Sequence, residues 1–111
     1  MDIKTKTIEE ITVVELAGDI DAKTAPIVTE KVLPLAEPGS KIIMDISNVP
    51  YMSSAGLRML LTLYRQATAK DGKLVLVGLS EEIEDTMSVT GFLDFFKTSE
   101  TVESGLKILQ E

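Results

Sequence analysis

Two adjacent serines, Ser53 and Ser54, stand just before a strongly patterned helix, and Arg58 follows one helical turn later. Ser53 is spaced as the N-cap, its hydroxyl able to accept from a free backbone N–H, a bond worth roughly 0.5–2 kcal/mol. Ser54 then becomes the first helical residue, with its hydroxyl directed outward at the positive end of the dipole. Two uses fit this placement. From spacing alone, capping is the commoner use of serine at a helix start. The other use is phosphate acceptance at Ser54, where a dianion meets unpartnered N–H groups and the dipole instead of breaking the helix. Arg58 at i+4 can pair with that charge. Such a modification changes the surface while leaving the fold intact, which is what a reversible binding switch requires.

Other chemistry is excluded by composition. The 111 residues contain no Cys and no His, so thiol nucleophiles, thiolate metal sites and Ser-His or Cys-His catalysis are ruled out. Met52 stands where a G-x-S-x-G nucleophile elbow needs glycine, and Gly72-Lys73 lacks the spacing of a phosphate-binding loop. Asp19 and Asp21 could approach a hard cation, but two carboxylates on a turn fall far short of about six oxygen ligands. A net charge of −7 disfavours nucleic acid and anionic membranes and suits basic or mixed-charge protein partners. The opening Met1-Asp2-Ile3-Lys4 is no signal peptide, and the apolar runs are strand-sized, so a soluble cytoplasmic protein without membrane insertion is expected.

The elements that must position the serines follow from the pattern, and they make one domain over residues 1–111 with no linker or repeat. Ile3–Ile8 and Ile11–Leu16, joined by a turn at Glu9-Glu10, read as a hairpin whose lysine-bearing first strand lies at an edge. A helix starts near Thr24–Pro26, capped by Thr24, with Ile27, Val28, Val32 and Leu35 as its apolar face. Pro34 predicts a kink or an end at Leu33. Lys41–Ile46 and Lys73–Val77 are central-strand runs. Between them, Leu57, Leu60, Leu61, Tyr64 and Ala67 mark one face of a helix from Ser54 to about Lys70. Ser80 caps a third helix that ends before Gly91, Phe95-Phe96 suggest a short last strand, and Val102, Leu106 and Leu109 mark a final helix. Strands separated by helices imply parallel crossovers, so the expected fold is a small α/β domain: a mixed sheet, an N-terminal hairpin and about four helices.

The stretch Asp45-Ile46-Ser47 through Tyr51-Met52-Ser53-Ser54-Ala55-Gly56-Leu57 resembles the signature of the STAS domain family, specifically its bacterial anti-sigma factor antagonists. Gly18-Asp19-Ile20-Asp21 is similar to the family's second loop motif, and Thr90-Gly91-Phe92-Leu93 with Phe95-Phe96 to its C-terminal pattern. The resemblance implies partner switching. The unmodified antagonist binds a serine kinase that doubles as an anti-sigma factor and so frees the sigma factor; phosphorylation on the serine matching Ser54 releases it. A metal-dependent serine phosphatase resets the cycle. The kinase brings ATP and magnesium, so the chain is no enzyme and needs no cofactor, and a free monomer is expected.

The same resemblance assigns Asp19, Asp21, Tyr51, Met52, Ser53, Gly56 and Arg58 to the partner-facing surface. Ser53 stands where the family often has Asp, which changes the local charge by one and makes Ser53 the alternative acceptor. Met59 and Leu63, at i and i+4 beside the buried stripe, either widen the core face or form an apolar patch for a partner, and their exposure decides. A competing reading keeps the fold without phosphorylation, as a STAS subunit beside a transporter or in a signalling scaffold.

Overall fold

The computed structural model describes residues 1–110. Its elements run β1 (Asp2–Ile8), β2 (Ile11–Ala17), α1 (Ala25–Val32), β3 (Lys41–Asn48), α2 (Ser54–Ala69), β4 (Lys73–Val77), α3 (Glu81–Thr90), β5 (Lys97–Ser99) and α4 (Val102–Gln110). One five-stranded sheet has the order β1-β2-β3-β4-β5. β1 is antiparallel to β2, and every later pairing is parallel. This is the mixed sheet with an N-terminal hairpin and four helices that the pattern predicts. Glu9 and Glu10 form the hairpin turn with both φ values positive, at 50° and 70°, the backbone twist that a two-residue hairpin requires.

The central strands are covered on both faces, which is why their apolar runs do not alternate. Val14, Leu16, Ile42, Met44, Ile46, Leu74 and Leu76 face a core shared with α1, α2 and α3. Ile11, Val13, Ile43, Val75 and Val77 face the opposite way and pack with Leu109 of α4. That helix rides close to the sheet because Gly105 has no side chain: a Cβ there would lie 3.0 Å from Val77 and 3.3 Å from Ile43. Thr101 and Ser104 cap α4 reciprocally, each hydroxyl accepting the other's backbone N–H at 3.1–3.2 Å. No helix among the described residues is long and apolar enough to cross a membrane.

Several local expectations are corrected. α1 gives way at Val32 to a 3-10 turn over Leu33–Leu35, as Pro34 demands, but Ile27 is 51 % exposed and does not belong to its buried face. Thr24 stands at the N-cap position without capping through its side chain. Phe95-Phe96 is not a strand. After Gly91 closes α3 at φ 81°, residues Phe92–Phe95 form a 3-10 turn and pairing begins only at Lys97. Phe96 is instead drawn into the core, edge-on to Tyr64 with ring centroids 5.3 Å apart.

The buried face of α2 is rotated from the expected stripe. Gly56, Leu57, Met59, Leu60, Leu63 and Ala67 are buried, whereas Leu61 and Tyr64 are half-buried. Met59 and Leu63 are only 5 % and 2 % exposed, so they form no docking patch. The cause is α1, which lies against α2 on the same face of the sheet and adds a second surface for α2 to bury.

Candidate functional site

Where the parallel strands end and the helices begin, three junctions converge. Toward the end of β3, the Asp45 carboxylate accepts from the Ser47 N–H at 3.0 Å and the Ser47 hydroxyl at 2.7 Å. The loop that follows is strapped to the β2–α1 loop by backbone bonds. Gly18 N–H donates to Asn48 O at 3.1 Å, Ile20 N–H to Tyr51 O at 2.9 Å, and Ser53 N–H to Ile20 O at 2.8 Å. Ile20 and Met52 form an isolated parallel bridge at the centre of this strap, and both side chains are buried. The approach needs Gly56, because a Cβ there would fall 2.5 Å from Met52 Cγ and 2.9 Å from Ile20 Cγ2. Gly56 is therefore a packing residue at the base of the site and no surface contact.

Above that base, Ser54 is exposed as the first residue of α2. Ser53 occupies the N-cap with extended backbone (φ −80°, ψ 176°), and its carbonyl accepts from Leu57 N–H at 3.1 Å. Its side chain does not cap, contrary to the expectation from spacing; the hydroxyl is buried and has no hydrogen-bond partner. The first N–H groups of α2 thus keep no side-chain acceptor from their own cap. Arg58 folds back along the helix, its Nε donating to Ser54 O at 3.4 Å and its Nη2 to Ser54 Oγ at 3.5 Å. A guanidinium and a helix N-terminus consequently meet at the exposed hydroxyl of Ser54.

Asp21 is hydrogen-bonded within its own loop. Its Oδ1 accepts from the N–H groups of Lys23 at 2.9 Å and Thr24 at 3.1 Å, and its carbonyl accepts from Ala25 N–H at 2.8 Å. Thr24 Oγ1 completes the turn by accepting from Asp21 N–H and donating to Asp19 O, each at 2.9 Å. Thr24 is spent on this turn, and Asp21 anchors the loop that leads into α1. The backbone bonds from Thr24 and then Lys23 hold the Asp21 carboxyl below its ordinary value of 3.8. A lowered folded pKa stabilises the loop above pH 3.8, and that contribution is lost as pH falls through the folded value. The melting temperature of Asp21→Asn should therefore fall less than that of the parent between pH 7 and pH 3, in paired thermal melts. Equal drops would remove Asp21 from the account.

Tyr51, 51 % exposed, stands on the outer side of the β3–α2 loop. Beside it the first turn of α3 brings Glu82, which with Pro50, Tyr51 and Met52 lines a shallow cleft. Across Ser54 lies an open groove of about 550 Å³ between α1 and α2, walled by Ala22, Pro26 and Thr29 on one side and Ala55 and Arg58 on the other. Asp19, Tyr51, Ser54 and Arg58 thus share one accessible end of the molecule, whereas Met52 and Gly56 lie beneath it. Glu82 and the α1 groove were not foreseen. The acidic turn Glu81-Glu82 was visible as a helix start, and the rule that strand ends cluster in open sheets could have brought it to this site.

The STAS domain model matches residues 2–105. Among curated relatives, the anti-sigma-B factor antagonist of Bacillus subtilis is 32% identical over 107 residues, covering 96% of this chain and 98% of the relative. Among solved structures, an anti-sigma factor antagonist from Mycobacterium paratuberculosis superposes with TM-score 0.87 at 21% identity, over 99% of this chain and 94% of the other. The Bacillus cell fate determinant SpoIIAA in its phosphorylated form superposes with TM-score 0.74 at 19% identity, over 97% and 99%.

Proposed function

Since the chain belongs to the STAS domain family, we propose that it is an anti-sigma factor antagonist, a binding switch rather than an enzyme, operated by phosphorylation of Ser54. The observation that carries this reading is the pairing of an exposed Ser54 with an uncapped helix N-terminus and Arg58 at 3.5 Å. A phosphate on Ser54 would enter a place already furnished with donors, so the fold has no reason to change. What changes is the surface, by about 1.5–2 negative charges. Ser53 is the poorer acceptor, because its hydroxyl is buried under the strap and a kinase could reach it only after the loop opened.

In this reading the unmodified chain docks a serine kinase that is also the anti-sigma factor, through the end formed by Asp19, Tyr51, Ser54 and Arg58. Phosphorylation then releases it, and a metal-dependent serine phosphatase restores the binding form. The switch works without a cofactor on this chain. The test is intact mass and fragment mapping on protein from its native host across growth conditions. The expected result is a condition-dependent phosphate on Ser54. No phosphate under any condition, even with the phosphatase deleted, would overturn the switch in favour of a transporter-associated or scaffolding STAS subunit.

A further inference from the structure

At the opposite end of the sheet, β4 extends beyond its neighbour. The β4–β5 ladder begins at Val75 and Lys97, so Lys73 and Leu74 have no partner on β5. The 3-10 turn Phe92–Phe95 occupies the chain where more of β5 would have run, and it leaves a cavity of about 190 Å³. Tyr64, Leu74, Phe95 and Leu109 line it with Lys73 and Lys97, and the rings of Tyr64 and Phe95 stand 6.0 Å apart at 58°. Phe95 is 48 % exposed, an apolar ring beside an apolar hole.

The charge at this rim is unusual for a chain of net −7. Lys41 and Lys73 are register partners on β3 and β4, and Lys97 pairs with Val75, two residues on from Lys73. The side-chain alternation of strands therefore places all three lysines on one face of the sheet. Like charges set opposite each other destabilise a sheet. The ion pair found among the described residues is Lys6 with Glu15, on β1 and β2, so none of these three is neutralised by a carboxylate there. The one rim thus combines an apolar, aromatic-walled hole with unneutralised cations.

We propose that this cavity is a second binding site, for a small aromatic monocarboxylate whose ring fills the hole and whose carboxylate meets Lys73 and Lys97. An apolar cavity of about 150 Å³ is enough to take up benzene, so the space suits one ring with a short tail. The test is an NMR titration of the full chain with phenylacetate, with 2-phenylethanol as a neutral ligand of similar shape. Phenylacetate should give saturable shifts at Leu74, Phe95 and Leu109 and bind roughly three- to tenfold more tightly than the alcohol, as two solvent-exposed charge pairs allow. In Lys73→Gln/Lys97→Gln, whose fold the same spectra verify, the alcohol should still bind and the preference for the acid should vanish. Absence of saturation at millimolar phenylacetate, shifts confined to other surfaces, or an unchanged preference in the double variant would overturn the proposal.

Discussion

If Ser54 is the proposed switch, a Ser54→Ala chain is expected to stay bound to the partner kinase in the presence of ATP, under conditions that would phosphorylate and release the parent chain. The expected difference in apparent affinity is about 100-fold or more. Placing a dianion against a surface matched to a neutral hydroxyl costs several kcal/mol, and each 1.4 kcal/mol is about tenfold. The alanine itself should cost little, because Ser54 is exposed and its hydroxyl meets only Arg58, at 3.5 Å. Ser54→Asp should fall between the two forms, since one carboxylate carries less charge than a phosphate and reaches less far. The check is affinity measured with and without ATP for all three chains. Identical affinities throughout would show that Ser54 does not control the partner.

Gly78→Ala is the substitution expected to damage the fold most. Gly78 has φ 76°, and a Cβ there would lie 2.6 Å from Ser47 Cβ and 2.9 Å from Ser47 Cα. Left-handed backbone costs a residue with a side chain about 1–2 kcal/mol, and forced overlap in a packed region about 1–3 kcal/mol more. Together these should lower the melting temperature by roughly 10–25 °C. Gly39→Ala separates the two causes: Gly39 has φ 72° but nothing within 4 Å of its Cβ position. It should show the backbone cost alone, read from the same melts. Equal losses in the two variants would mean that the contact with Ser47 is not what the glycine serves. The contact matters because it presses the exit of β4 against the exit of β3, where the chain leaves for Ser54.

The order of the elements was legible in the sequence because local rules decide it. Apolar runs of strand length, Pro34 after α1, Ser80 before α3 and Gly91 after it each act on their own neighbourhood. Ser54 and Arg58 were legible for the same reason, being one helical turn apart. Long-range packing decided the rest. Met59 and Leu63 are buried because α1 happens to lie on that side of α2, and nothing within α2 records it. Thr24 and Ser53 both stand at N-caps, but one hydroxyl is taken by Asp19 and Asp21 and the other is enclosed by the strap between two loops. Phe96 leaves the strand pattern for the edge of Tyr64, thirty-two positions earlier in the chain. The cavity beside Leu74 lies where β4 has no partner on β5. The sequence by itself determined which residues could carry a switch and in what order the elements come. Tertiary contact decided which hydroxyl reaches solvent, because exposure is set by what packs above a residue and spacing along one helix does not encode it.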